Sequence, residues 1–333
     1  MRTHPHSGCT ILRDCLFAVS MCLGALSSAA AQDFPNRPIT LTMPYAPGGP
    51  GDAITRVFSG SMQKFLGAQV VVDNPAGASG TIGTAKVARS KPDGYTLLMI
   101  HVSHATNAAM FKNLPYNPVE DFEPIGRATS GPMLIVARQG FPAGNLAEFI
   151  QALRSEGNKI TLAHAGVGSA SHLCALMMMS ALKVKLNEVP YKGTAPALAD
   201  LMGGQVDVLC DQTSGTVPQV RSGRIRAIAA VGRTRLPQLP DLPAVAEAGV
   251  EGLEINISFS LYAPKGTPKP VIDKLADALQ KSVTDAETRT RLEAMGVAAV
   301  SADQAQPDAL RAHLRREIDT LVPLLTQAGI QAN

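Results

Sequence analysis

The 333-residue chain contains no tryptophan, and aromatic residues make up only 4% of it. So few ring faces leave little for the bases of a single-stranded nucleic acid to stack on. Charge of either sign is also weak: 30 Lys and Arg against 27 Asp and Glu leave a formal +3. That is too small a field to hold nucleic acid or an anionic membrane. Beyond the first thirty residues no apolar run nears the ~18 residues that suggest a bilayer span. Enzyme signatures are missing as well. There is no P-loop, since Gly77 and Gly83 are misspaced and no Lys-Ser/Thr pair follows. Gly166 and Gly168 begin a G-x-G-x-x-G pattern, but Ser171 stands at its last position. Gly77-Ala78-Ser79-Gly80-Thr81 ends in Thr where a nucleophile elbow needs Gly. No H-E-x-x-H occurs, and His101 and His104 have no neighbouring carboxylate, which is a poor start for a metal site. These absences argue against an enzyme, and neither cofactor nor metal is expected.

What is present is a long, apolar chain. At 45% apolar it can bury a real core, and its length suggests two domains of roughly 100–200 residues each. The 29 glycines and 24 prolines imply many turns without a collagen-like period. At the start, Arg2, His4, His6 and Arg13 precede an apolar run over 15–26, and Ala29-Ala30-Ala31 closes it. A basic head, about a dozen apolar residues and an A-x-A end describe a secretory signal peptide cleaved after Ala31. Asp14 at the head of the run is unusual for one. The expected address is therefore the periplasm. Cys9, Cys15 and Cys22 would leave with the leader, so only Cys174 and Cys210 remain. In an oxidising compartment these two can bridge, or they can be two buried apolar residues.

Further on, strands and helices alternate. Residues 38–44 alternate polar and apolar as a strand does, and 53–66 carry helical spacing at Val57, Met62 and Leu66. Strands are expected at 69–73, 95–100, 159–163, 186–190, 206–210 and 225–231, with helix-like segments between. This argues an α/β protein with mostly parallel sheets. The C-terminal part reads as three helices, 270–283, 285–295 and 307–328. The last has an apolar stripe at Leu310, Leu314, Ile318, Leu321 and Leu325, and Pro323 should kink it.

The informative feature is a plan repeated at four strand-to-helix junctions. They are Pro47-Gly48-Gly49-Pro50-Gly51-Asp52, Gly77-Ala78-Ser79-Gly80-Thr81, Gly166-Val167-Gly168-Ser169-Ala170-Ser171-His172 and Lys192-Gly193-Thr194-Ala195-Pro196. Each puts glycines and then Ser, Thr or Asp where a helix begins. Helix starts offer free N–H groups and a positive dipole end, which suit a carboxylate or phosphate. In open α/β sheets such junctions lie at the carboxyl ends of strands, where ligands bind. One junction alone is ordinary capping; four together point to an anion cleft.

These segments, in order, resemble the Bug family of extracytoplasmic solute-binding receptors, the TctC-like type of tripartite tricarboxylate transporters. The resemblance rests on Phe34-Pro35-Asn36-Arg37-Pro38-Ile39, Pro44 to Asp52, Asn74-Pro75-Ala76-Gly77, Ser103-His104-Ala105-Thr106-Asn107 and Leu114-Pro115-Tyr116. It continues through Gly168 to Leu173, Val189-Pro190-Tyr191-Lys192-Gly193-Thr194, Gly203-Gly204-Gln205-Val206-Asp207, Ala263-Pro264-Lys265-Gly266-Thr267-Pro268 and Ala328-Gly329-Ile330. Where such proteins often carry a Trp before the Ala-Pro-x-Gly-Thr-Pro motif, this chain has Ile257-Ser258-Phe259-Ser260-Leu261.

The resemblance implies a two-lobed, Venus-flytrap (type II-like) periplasmic binding protein with two interdomain crossings and a hinged cleft. Lobe one would be 32–128 plus 258–333 and lobe two 129–257, with crossings near Thr129-Ser130 and Ser258-Phe259. Pro47 to Asp52, Gly77-Ala78-Ser79-Gly80-Thr81 and Ser103-His104-Ala105-Thr106 would face Gly168-Ser169-Ala170-Ser171-His172, Lys192-Gly193-Thr194 and Asp211-Gln212-Thr213. Ser79, Thr106, Ser169, Ser171 and Thr194 are then the expected direct contacts to a small carboxylate. Asp211 would orient a water or accept from an amine or hydroxyl of the ligand. His104 and His172 would cap or shape the cleft, and Lys192 could meet a second carboxylate. Membrane permease subunits or a sensor kinase are the implied partners, and a monomer is the default. Sensing, or less readily an exported enzyme acting on a carboxylate, are the alternatives to transport.

Overall fold

The structure is a computed structural model that describes residues 34–327. The leader 1–31 with its three cysteines, and the closing Ala328-Gly329-Ile330, lie outside the described residues. Two open sheets flanked by helices make up the described chain. The first has the order β2-β1-β3-β11-β4. Its strands are β1 (Ile39–Thr42), β2 (Val70–Asp73), β3 (Thr96–Ile100), β4 (Phe122–Arg127) and β11 (Ser260–Pro264). β1 lies between β2 and β3, pairing in parallel with Val70 of β2 at Ile39 and with Thr96 of β3 at Thr40. Helices α1 (Pro50–Leu66), α2 (Thr81–Ala88) and α3 (Ser103–Met110) follow the first three strands. On α1 the residues Ile54, Val57, Phe58, Met62 and Leu66 are buried, the spacing of one helix face turned to a core.

The second sheet runs β10-β5-β8-β6-β7, with β9 and β12 also paired to β5. Its members are β5 (Thr129–Arg138), β6 (Thr161–His164), β7 (Asn187–Pro190), β8 (Val208–Gln212), β9 (Ile225–Val231), β10 (Asn256–Ile257) and β12 (Ala298–Ala299). Helices α4 (Leu146–Glu156), α5 (Ala170–Leu182), α6 (Thr194–Met202) and α7 (Thr213–Arg221) pack on it. Both sheets are mixed. In the first, β11 runs against β3 and β4; in the second, β6, β7 and β8 are parallel while β5 opposes β8 and β9. Separate cores result: Leu98, Ile100, Phe122 and Tyr262 lie in one, and Leu134, Val136, Leu201 and Leu209 in the other.

Strands β4 and β5 escape the sequence reading because Pro124, Gly126, Gly131 and Pro132 interrupt their apolar pattern. The chain tolerates Pro124 because β4 is an edge strand. These strands matter, since the chain passes from the first sheet to the second between Arg127 and Thr129 and returns between Ile257 and Ser260. At the crossing Ala128 N donates to Phe259 O at 2.7 Å, and Arg127 Nη2 donates to Ser258 Oγ at 2.8 Å. A third segment joins them: β12 pairs with Thr129 and Ser130, and Val300 N donates to Ala128 O at 3.2 Å.

Helices α8 (Lys269–Thr284), α9 (Ala286–Ala294) and α10 (Pro307–Gln327) match the expected C-terminal trio. Leu310, Leu314 and Leu325 of the α10 stripe are buried. The helix continues through Pro323 rather than ending there, at the cost of the one ladder hydrogen bond that a proline nitrogen cannot donate. Cys174 on α5 and Cys210 on β8 form a disulfide, with Cα atoms 6.0 Å apart. It fastens the helix that starts at one glycine-rich junction to the strand beneath it.

Candidate functional site

Four helix starts converge between the two sheets. α1 begins after Gly49 with Pro50 in its first turn, and no side chain caps it. α5 is capped by Ser169, whose Oγ accepts from His172 N at 3.2 Å. α6 begins after Gly193 and α7 after Gln212, again without a side-chain cap. The free N–H groups of these first turns supply a positive environment. Around them lies a cavity of about 20 Å³ lined by Gly49, Asp52, Ser169, Ser171, Thr194 and Asp211 among others. About 10–15 Å³ seats one water, so a solute enters only when the walls separate.

Contacts already bridge those walls. The Ser79 hydroxyl donates to Val167 O, and Thr106 Oγ1 reaches Gly168 O at 3.5 Å. A Cβ on Gly193, whose φ is +130°, would come within 3.2 Å of the Ala46 Cβ. Only glycine lets the two backbones approach this closely. Beside the cavity a wider pocket of about 460 Å³ is lined by Gly77, Ala78, Ser79, Phe111, Val167, Tyr191 and Lys192 among others.

Within the cavity the hydroxyls hold one another. Ser171 Oγ accepts from Ala165 N at 2.7 Å and lies 3.1 Å from Ser169 Oγ. Thr194 Oγ1 donates to Asp211 Oδ1 at 3.2 Å. Tyr45 Oη lies 2.9 Å from both Ser79 O and Ser103 Oγ, and burial raises its pKa. His101 stacks on Tyr45 with ring centroids 5.0 Å apart; burial holds its pKa down to about 3, so the ring is neutral. Among the described residues two carboxyl oxygens are buried without a hydrogen-bond partner, Asp52 Oδ1 and Asp211 Oδ2. The other Asp52 oxygen accepts from Gly48 N at 2.9 Å and Arg56 Nε at 3.0 Å.

Compared with known proteins, the chain matches the model of the tripartite tricarboxylate transporter family receptor over residues 54–321. The chain belongs to that family. A UPF0065 protein from the TAR-I ttuE-ttuC′ intergenic region of Agrobacterium vitis is 39% identical over 302 residues, covering 90% of this chain and 87% of the relative. Among solved structures, the periplasmic binding protein BugD is 44% identical at a TM-score of 0.87, covering 90% of this chain and all of the other. MatC of Rhodopseudomonas palustris, solved with bound malate, is 38% identical at a TM-score of 0.82, covering 86% of this chain and 98% of its own. The two-lobed α/β fold follows from these likenesses together with the two sheets. No helix among the described residues is long and apolar enough to cross a membrane.

In this family receptor the residues singled out from sequence fall into three groups. Gly49, Asp52, Ser169, Ala170, Ser171, Thr194 and Asp211 line the cavity. Gly77, Ala78, Ser79 and Lys192 line the wider pocket. Pro47, Gly48, Ser103, His104, Thr106, Gly168 and Gly193 line neither. Of these, His104 sits within an aromatic cluster, 4.6 Å from the Tyr262 ring and 4.9 Å from Phe122. Its Nε2 bonds Pro118 O at 3.0 Å, and burial lowers its pKa to about 3. Lining residues that the sequence did not single out as ligand contacts include Met43, Tyr45, His101 and Ala165, while Gln212, expected on the cleft face, does line the cavity. A usable signal existed for all four. Each stands at or just past the carboxyl end of a strand, where α/β proteins place their ligands.

His164, His172 and Glu188 form the one described cluster whose donor atoms could surround a metal, all within 4.8 Å of one another. Their hydrogen bonds describe a different task. His164 Nδ1 accepts from Gly166 N at 3.2 Å, and His172 Nδ1 accepts from Gly168 N at 3.1 Å. A neutral ring accepting at Nδ1 carries its proton on Nε2, and His172 Nε2 faces Glu188 at 3.3 Å. Metal-bound histidines ordinarily donate from the other nitrogen, so the pair fits an anchor for the 165–171 loop better than a ligand set.

Proposed function

We propose that this chain is an exported receptor that captures a small carboxylated solute in the cleft between its lobes and delivers it to a tripartite tricarboxylate-type transporter. The observation that carries the reading is the ring of four helix starts and hydroxyls around one cavity, in a member of this receptor family. Malate bound to MatC, a relative at 38% identity, supports the carboxylate class. The lobes are 32–128 with 258–333, and 129–257, and the leader is cleaved after Ala31. Backbone N–H groups, Ser169, Ser171 and Thr194 hold one carboxylate, while Lys192 in the wider pocket meets the far end of the solute. Each helix start contributes about 0.3–2 kcal/mol, and hydrogen bonds to a charged group about 1.5–3 kcal/mol each. Together they reach the roughly −8 kcal/mol of a micromolar site. The protein acts by binding rather than by turnover.

A thermal-shift screen of refolded residues 32–333 tests this reading. The panel is malate and other dicarboxylates, aromatic and pyridine carboxylates, and amino acids. A native-state ligand at a hundredfold excess over Kd adds about 2.7 kcal/mol of stability, so one chemical class should raise the Tm by several degrees. No shift with any carboxylate at millimolar concentration would refute it.

A further inference from the structure

A cavity built for an anion should not also hold unpaired negative charge, yet Asp211 stands in its wall. Its side chain is 1% exposed. Oδ1 accepts from Thr194 Oγ1, and Oδ2 has no hydrogen-bond partner. Among the described residues no Lys, Arg or His forms an ion pair with it, although thirteen such pairs exist elsewhere.

The side chains facing Asp211 bring no positive charge; only the helix starts and hydrogen bonds from the Thr194 hydroxyl and the Gln212 backbone N–H favour its charged form. From α1 comes Asp52, a second carboxyl, whose Arg56 partner bonds its other oxygen. From the end of β3 comes His101, neutral through burial. α5 contributes Ser169 and Ser171, α6 contributes Thr194, and β5 sets the apolar Leu134 directly opposite. The first turn of α7 brings Ser214, whose Oγ bonds Pro50 O at 3.5 Å. His164, His172 and Glu188 are engaged with one another and with the loop behind the cavity. Burial outweighs the hydrogen bonds from Gln212 and Thr194 and already lifts the Asp211 carboxyl to about 7. A second anion in the same small cavity, with no cation between, would lift it further.

We propose that the receptor takes up one proton at Asp211 when it binds a carboxylate, and that the resulting Oδ2–H donates a hydrogen bond to the ligand or to a water on it. The proton comes from solvent: ionised ligand, ionised Asp211 and one H⁺ combine into a complex holding a neutral Asp211 and an ionised ligand. This rests on the carboxylate reading above and adds a specificity rule. An ionised solute is accepted, and its affinity is tied to pH through the protein rather than through the solute's own titration.

The sign follows from linkage. Below about pH 7 the free protein already carries the proton, so affinity is flat while the ligand stays ionised. Above that, each pH unit weakens binding about tenfold.

The test is calorimetry of the full mature chain with malate, or with the tightest binder of the carboxylate panel, at pH 8.5 in HEPES and in Tris. The two buffers differ in ionisation enthalpy, so the difference in heat counts protons. The expected result is close to one proton taken up per ligand, and affinity that falls from pH 7 to pH 9. In Asp211→Asn, whose amide mimics the neutral acid, uptake vanishes and malate binds about thirtyfold more tightly than to the parent at pH 8.5. Binding without uptake, or with affinity flat from pH 6 to pH 9, overturns the proposal and leaves the carboxylate reading standing. So does an Asp211→Asn variant that keeps the uptake, or one that binds more weakly because Asp211 had paired with an ammonium group of the ligand. Should that variant fail to fold, the parent's proton count and pH profile decide alone. If nothing on the panel binds, the carboxylate reading itself fails and this inference falls with it.

Discussion

At the scale of single residues, the cleft is held by groups that satisfy backbone atoms before any ligand arrives. Ser171 takes the Ala165 N–H, His172 takes that of Gly168, and His164 takes that of Gly166. Ser171→Ala would leave a buried N–H unpaired, a cost of about 1–3 kcal/mol felt inside the 165–171 loop. Gly168 is more constrained. Its φ is +89°, and a Cβ there would stand 2.9 Å from Asn107 Oδ1. Valine at that site needs both a left-handed backbone and a displaced Asn107. Each substitution should weaken carboxylate binding tenfold or more in calorimetry, while far-ultraviolet circular dichroism keeps its native shape. Unchanged affinity in both would remove this loop from the site.

At the scale of elements, the helix starts line the cavity, and their placement depends on what fastens them. α5 supplies Ser169 and Ser171, and the disulfide ties it to β8, the strand that ends in Asp211 and Gln212. One covalent bond thus fixes two walls of the cavity relative to each other. The bridged cysteines are 36 residues apart, and closing such a loop stabilises by about 4 kcal/mol in the chain-entropy model. Reduction, or replacement of both cysteines by alanine, should therefore lower the Tm by several degrees and reduce ligand affinity along with it. A scan with and without reductant reads the first effect. A Tm indifferent to reductant would show that packing of α5 on the sheet suffices.

At the scale of the molecule, two mixed sheets share only a narrow set of crossings. The segments around Ala128, Phe259 and Val300 lie side by side at one edge, while the cavity lies between facing helix starts. That arrangement suits a hinge at the strands and a mouth at the helices. With room for little more than water, the cavity would have to open to admit the proposed solute. X-ray scattering should show a free population with a larger radius of gyration than the complex with its tightest carboxylate. Identical curves would mean that the solute reaches the cavity without separation of the lobes.

Much of this was legible in the chain. The helix-starting glycines with Ser, Thr or Asp, the alternation of strand and helix, and the C-terminal trio are written within a few neighbouring residues, because capping and periodicity are local physics. Their order along the sequence was enough to name the family. Strands β4, β5, β10, β11 and β12 were not legible. Pairing with distant partners holds them against the prolines and glycines inside or beside them, and two of them are only two residues long. The role of His104 was equally hidden, since nothing near it in sequence shows that Phe122 and Tyr262 enclose it. The pairing of Cys174 with Cys210 and the unpartnered oxygen of Asp211 belong to the same class. Burial and proximity are set by residues tens or hundreds of positions away, so only the tertiary structure could decide which groups would be short of a partner at the cleft.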